Sequence, residues 1–245
     1  MAKEWLYGRQ PVREALRAGR RHFFRLLTSR SLGKSAELKE ILDLAGRKRV
    51  SIEIVPRNVL EKTIGSSHHQ GLALEVSGYP YADPADLLAS VTPRSLYLLL
   101  DHIQDPQNVG TLLRTAEAVG VSGVFIPGRR AASITPAVSK ASAGAVEHLQ
   151  VAEVANLKRT LESLKDAGVW IAGLEKAPGA IRYDSRSWDL PLGVVVGSEG
   201  KGMSRIVREA CDWLVYLPMV GHVESLNAAV SGSVFLYQVM HPLLT

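Results

Sequence analysis

Apolar residues fall along this chain in short blocks whose spacing switches between helix-like and strand-like periods. Val12, Ala15 and Leu16 form an apolar face ahead of Gly19, and Phe23-Phe24-Arg25-Leu26-Leu27 follows as a strand. Leu38, Ile41, Leu42 and Ala45 make a helical stripe across residues 35–48, residues 50–55 alternate as a strand stopped by Pro56, and residues 70–76 form another strand. Tyr79-Pro80-Tyr81-Ala82-Asp83-Pro84 then breaks the pattern with proline and turn formers. Beyond it the elements lengthen. Strands are predicted at 96–100, 124–126, 149–151, 169–172, 192–196 and 213–217, and helices at 108–119, 136–145, 157–167, 204–210 and 225–240. Strands that are apolar throughout, each followed by an amphipathic helix, imply an α/β fold with a largely parallel sheet covered on both faces. The pattern predicts a small α/β domain at residues 1–76, a linker at 77–93 and a larger domain at 94–245. Parallel sheets bind ligands beyond the carboxyl ends of their strands, so the loops there are where chemistry is expected.

Composition narrows the class. The 245 residues are 46% hydrophobic and 22% charged, values of a folded soluble chain. No apolar run approaches the ~18 residues of a membrane span. The single cysteine, Cys211, excludes an internal disulfide framework and a cysteine-rich zinc site. No signal-like apolar stretch follows Met1, so a cytoplasmic protein is expected, with no membrane association.

The net charge of +5 conceals an asymmetry. Residues 9–49 hold 12 basic and 4 acidic side chains, 12 − 4 = +8, while the remainder holds 17 and 20, or −3. That points to a polyanion-facing amino-terminal module, with Arg20, Arg21, Arg25, Lys34, Arg47 and Arg49 as candidate phosphate contacts. Basic residues that only solvate a surface give the same count. An arginine-rich transit peptide does too, but the folded pattern beginning at Trp5 speaks against it.

Several familiar signatures fail. Residues 197–204 follow an apolar strand with glycines at Walker A spacing, but Met203 stands where a phosphate-binding loop requires lysine. A dinucleotide fingerprint would need glycine or alanine at Arg205, and no Gly-x-Ser-x-Gly elbow occurs. His68-His69 lacks metal-ligand spacing, so no metal is expected. With 6% aromatic residues, a stacking platform for single strands is not indicated.

Three polar islands remain, each just beyond an apolar strand: Asp101 to Arg114, Gly197 to Ser204, and Leu217 to Asn227. Taken singly, each reads equally as loop and helix-cap chemistry. Together they lie on one inferred side of the sheet. They closely resemble the three motifs of the SPOUT superfamily, and within it the TrmH-like RNA ribose 2′-O-methyltransferases. The resemblance rests on Asn108 with Arg114 six residues on, Gly-Ser-Glu-Gly-Lys-Gly-Met at 197–203, and Leu-Pro-Met at 217–219 followed by Ser225-Leu226-Asn227. It covers roughly the last 150 residues. Tyr7-Gly8-Arg9-Gln10-Pro11-Val12 and His69-Gln70-Gly71 resemble the small substrate-binding domain that precedes the catalytic one in enzymes methylating a guanosine of 23S ribosomal RNA.

The resemblance implies a carboxy-terminal trefoil knot and S-adenosylmethionine as methyl donor, without metal. It implies cofactor contacts at Gly197, Leu217 and Leu226, where glycines permit close backbone approach; Gly200, Met219 and Gly221 join them as flexible backbone or apolar wall. It places Arg114 in catalysis. A guanidinium is a poor base, so Arg114 is read as engaging the target phosphate and steadying the alkoxide, with Glu199 another candidate proton acceptor and Asn108, Ser225 and Asn227 orienting ribose and cofactor. A transfer RNA substrate, or a factor that binds RNA or ribosomes without catalysis, are the alternatives. The predicted last helix is almost wholly apolar or small, so it is buried on more than one face, either within one chain or in a homodimer. The family implies the homodimer, with Val234 and Phe235 as interface candidates.

Overall fold

The computed structural model describes residues 3–30, 35–129 and 131–244, with 242–244 as backbone alone. In chain order the first elements are β1 (Lys3–Tyr7), α1 (Arg9–Ala18), β2 (Phe23–Ser29), α2 (Ala36–Arg47), β3 (Ser51–Val55), α3 (Arg57–Ile64), β4 (Leu72–Ser77) and α4 (Pro84–Ala89). Next come β5 (Leu96–Asp101), α5 (Pro106–Ala118), β6 (Gly123–Pro127), α6 (Pro136–Ala141), β7 (Val151–Val154), α7 (Leu157–Asp166) and β8 (Trp170–Leu174). The last are β9 (Ile181–Arg182), β10 (Leu192–Gly197), α8 (Arg205–Arg208), β11 (Trp213–Tyr216) and α9 (Ala228–Leu244). No described helix is long and apolar enough to cross a membrane.

Caps explain where elements depart from the sequence pattern. Asp105 accepts the Gln107 N–H at 3.0 Å and Pro106 fixes the first helical φ, so α5 starts two residues before Asn108. Asn227 accepts the Ala229 and Val230 N–H groups at 2.9 and 3.1 Å, which delays α9 to Ala228. The helix predicted at 136–145 stops at Ala141, because Ala143 and Gly144 take positive φ, and a 3-10 turn follows at Ala145–His148. Inside the predicted linker, Asp83 caps α4 by accepting the Ala85 N–H at 2.8 Å.

Contacts divide the chain into two units. The first comprises Met1–Pro80 together with Ile134–His148, and the second Tyr81–Ser133 with Leu149–Thr245. The first is built on a four-stranded sheet of order β1-β4-β2-β3, antiparallel except for β2 with β3. Leu6, Val12, Leu16, Leu26, Ile41, Leu72 and Leu74 fill its core. The returning segment is fixed by a buried ion pair. Arg21 Nε and Nη2 donate to Glu147 Oε2 and Oε1 at 2.8 and 2.9 Å, Ser139 Oγ donates to Glu147 Oε1 at 3.1 Å, and both charged side chains are almost fully out of solvent. The Tyr79 hydroxyl adds a bond to Val146 O at 3.2 Å.

The second unit is a seven-stranded sheet of order β7-β6-β5-β10-β8-β11-β9, with every pairing parallel. The strands Leu96–Asp101 and Leu192–Gly197 are buried along their whole length, as strands covered on both faces must be. On one face Tyr97, Leu99, Phe125, Ile171 and Val195 pack with Leu161 and Leu164 of α7. On the other, α9 lies so close that a Cβ on Gly232 would stand 2.5 Å from Leu112 of α5 and 3.0 Å from Val196 of β10. Parallel pairing carries the ends of β5, β10, β8 and β11 to a common edge, with Gly197 in register with Asp101. All three islands start there.

Candidate active site

The second island folds on itself. Ser198 and Gly202 exchange N–H···O bonds of 3.1 and 2.9 Å, and Gly200 and Gly202 take φ of 75° and 63°. A Cβ on Gly197 would overlap the Gly202 and Met203 backbone, so glycine is needed there by the loop itself. Two carboxylates from strand ends hold this loop. Asp101, fully buried, accepts the Ser204 N–H at 2.6 Å and meets His102 Nδ1 at 2.5 Å. Glu175, just past β8, accepts from Met203 N at 3.1 Å and from Arg208 Nη1 at 2.8 Å.

The three islands converge on an amide–carboxylate cluster. Asn108 Nδ2 donates to Glu199 Oε1 at 2.9 Å, and Asn227 Nδ2 donates both to Asn108 Oδ1 at 2.8 Å and to Glu199 Oε1. The α9 cap uses the Asn227 Oδ1 while its Nδ2 serves the cluster, so the helix start and the cluster are one construction. Beside it opens a cavity of roughly 680 Å³, within the range of small-molecule sites. Gly197, Gly200, Leu217, Met219 and Leu226 line it, as do Glu199, Ser225 and Asn227.

Other candidates lie elsewhere. Gly221 does not line the cavity, and a Cβ there would meet no protein atom within 4 Å. Arg114 is exposed on α5, about 9 Å along the helix from Asn108 by helical rise, and does not line the cavity. Phe235 is fully buried and meets the Trp188 ring edge-on at 5.1 Å, so it is a core residue of its own unit and no surface anchor. Arg21 is likewise lost as a phosphate contact, since its guanidinium is buried against Glu147 and Glu4. Arg25 pairs with Glu75 and Glu53 at 3.0 and 3.4 Å, and Arg20 bonds the Tyr79 hydroxyl and the carbonyls of Pro80 and Glu147. Arg47 and Arg49 are exposed near the end of α2, and Lys34 lies outside the described residues.

Glu175 is a site-forming residue outside the three islands, and Asp101 opens the first island without having been given a role there. Each is a carboxylate at or just past the carboxyl end of a parallel strand, the edge at which such sheets bind ligands. Among the described residues, no group of three or more His, Cys, Asp or Glu side chains could hold a metal ion.

The SpoU rRNA Methylase family matches residues 95–237, which include all three islands. The chain belongs to that family. A second family, RNA 2′-O ribose methyltransferase substrate binding, matches residues 5–82. The chain is 42% identical over 237 residues to a protein of Staphylococcus saprophyticus subsp. saprophyticus assigned to the TrmH family of tRNA/rRNA methyltransferases, covering 96% of this chain and 94% of that one. Its fold is that of the SpoU methyltransferase AviRb of Streptomyces viridochromogenes, solved in complex with AdoMet (TM-score 0.81, 24% identity, 99% of this chain and 91% of that one). It is equally that of an AdoMet-bound rRNA methyltransferase of Sinorhizobium meliloti (TM-score 0.82, 22% identity, 99% and 88%). The TrmH/SpoU tRNA modifying enzyme of A. aeolicus covers only 64% of this chain and 81% of its own, at 23% identity and a TM-score of 0.55.

Proposed function

We propose that this member of the SpoU family transfers a methyl group from S-adenosylmethionine to a ribose 2′-oxygen of RNA, with a guanosine of 23S ribosomal RNA as target. The observation that carries the reading is the cluster of Asn108, Glu199 and Asn227 beside a cavity of cofactor size. The cavity suits the cofactor: Leu217, Met219 and Leu226 offer apolar wall for an adenine, and Glu199 and Glu224 offer negative charge to a sulfonium. When bound, S-adenosylmethionine supplies an electrophilic methyl group and leaves as a neutral thioether.

The chain's residues then hold the acceptor and take up its proton. The 2′-oxygen gains a bond to carbon and loses its proton to a base. Glu199 Oε1 already accepts two amide donors, leaving Oε2 without a partner among the described residues to receive that proton. Asn108 and Asn227 fix the carboxylate without adding charge, and Ser225 offers a hydroxyl to ribose. Arg114, exposed on α5, is read as the contact to the target phosphate.

A ribosomal substrate is favoured by the amino-terminal unit. The rRNA methyltransferase of Sinorhizobium meliloti shares the fold over 99% of this chain, while the tRNA modifying enzyme of A. aeolicus covers 64% of it. A homodimer is favoured by α9, whose Val230, Val234 and Tyr237 form a stripe 44%, 38% and 49% exposed, opposite the buried Ala229, Leu236 and Val239. The test is transfer of labelled methyl to 23S ribosomal RNA and to bulk transfer RNA, followed by alkaline hydrolysis. Label in alkali-resistant dinucleotides from 23S RNA is expected. Cofactor binding without transfer to either RNA leaves an RNA-binding factor, and label in transfer RNA alone reassigns the substrate.

A further inference from the structure

In the amino-terminal unit, two sequence motifs and a remote lysine meet at a point the reaction does not use. Gly8 turns β1 into α1 with φ of 89°, and the Arg9 N–H donates to Gln70 Oε1 at 2.9 Å, joining Tyr7-Gly8-Arg9 to His69-Gln70-Gly71. Lys140 of α6 places its ammonium against Gly8: a Cβ there would overlap Nζ and stand 3.2 Å from Gln70 Oε1. The Tyr7 ring centroid lies 5.9 Å from Nζ. Glycine at position 8 is required by its φ, and its bare backbone leaves the room the ammonium occupies.

Lys140 is half-buried, and burial lowers its pKa below the usual lysine value. Several cations of the unit have carboxylates: Arg9 pairs with Glu37, Arg17 with Glu40, Arg21 with Glu147 and Arg25 with Glu75. Lys140 has none among the described residues, and the first turn of α1 carries no acidic side chain. Gln70 Oε1 accepts the Arg9 N–H, which holds the amide in place, and its NH₂ has two donors to offer. This point therefore presents the Lys140 cation beside the Gln70 amide donors. A cation partly withdrawn from water, with no counter-charge, gains more from an arriving anion than a solvated one does.

We propose that Lys140 and the Gln70 amide, seated on the Gly8 backbone, bind a phosphodiester of the RNA substrate. The proposal rests on the RNA reading above. It places a substrate contact at a residue that the substrate-binding family match, ending at residue 82, does not include.

The test measures binding of the full-length protein to protein-free bacterial ribosomal RNA over a series of salt concentrations. A phosphate contact contributes roughly 0.7–0.9 to the slope of log K against log salt. Lys140→Gln is expected to weaken binding severalfold and lower the slope by about that amount. Lys140→Arg should keep the wild-type slope. The melting temperature of Lys140→Gln should be no lower than that of wild type, since the change removes an uncompensated charge. An unchanged slope in Lys140→Gln, or a lowered melting temperature with unchanged affinity, overturns the proposal and leaves a structural lysine. If the wild-type protein shows no salt-dependent RNA binding at all, the RNA reading itself fails.

Discussion

Asn227 donates to the side-chain oxygen of Asn108 across 2.8 Å, although 119 residues separate them, and the same Asn227 caps the last helix. One side chain therefore sets both where α9 begins and where the Glu199 carboxylate stands. The two roles can be pulled apart. Asn227→Ser keeps a capping oxygen and loses the amide donor, so stability should stay within about 0.5 kcal/mol of wild type while methyl transfer falls at least tenfold. Asn227→Ala should lose activity equally and a further ~1 kcal/mol of stability. Urea denaturation beside single-turnover transfer checks both.

Glu199→Gln retains a carbonyl oxygen for the two amide donors but cannot receive a proton. The variant should bind cofactor with near-normal affinity and lose at least a hundredfold in turnover. A loss of only a few fold would exclude Glu199 as the essential proton acceptor.

Val234 and Phe235 are adjacent in sequence and opposite in fate. Val234→Arg, on the exposed stripe, should give a folded monomer of about 27 kDa by light scattering. Phe235→Glu should fail to fold, because it places a charge in the Trp188 contact with no partner. A Val234→Arg protein that remains dimeric would move the interface off α9.

How much of this was legible in the sequence depends on what each feature consults. The strands at 96–101 and 192–197 are visible because burial on both faces leaves no polar position, and the islands follow from them. The charge excess at residues 9–49 is legible and agrees with the substrate-binding family match over residues 5–82, but which of its arginines are free is not. Arg21 and Arg25 look free in sequence, yet the carboxylates that neutralise them are Glu147 and Glu75, 126 and 50 residues away. Composition likewise hides a cluster in which Trp170, Trp188 and Trp213 gather, with Arg186 4.9 Å from the Trp213 ring centroid. Local pattern reports what a segment buries, and not against whom.

His69 gives a pH signature. It is fully buried, its Nδ1 accepts the Gly71 N–H at 2.9 Å, and its Nε2 stands 3.8 Å from Glu61 without a hydrogen bond. Burial, with Arg57 nearby, holds its pKa below the ordinary value of 6.5. The unfolded chain thus binds the proton more readily, so this stability is complete above about pH 6.5 and declines as the pH falls. His69→Asn keeps an acceptor for Gly71 and should flatten the fall in melting temperature between about pH 7.5 and 5.5. An identical pH dependence in both proteins would remove His69 as its source.

Arg21→Met leaves the Glu147 carboxylate buried without its partner and should cost about 3–5 kcal/mol of stability. Adding Glu147→Leu should recover much of it, since an apolar pair needs no solvation. Thermal melts of the two single variants and the double give the coupling.

The return of Ile134–His148 to the amino-terminal unit also sets an order of events during synthesis. Chains emerge from the ribosome amino terminus first, and a domain ordinarily folds as soon as its last residue is free. Here the first unit has to wait. Glu147, Tyr79's acceptor at Val146 and the helix bearing Lys140 all emerge after β5 and β6 of the second unit. Until then Arg21 has no Glu147 to meet, and the two units mature in an interleaved sequence. The same threading makes this protein a poor donor for simple exchange of its front end: a cut at any single point severs one unit from part of its own interior.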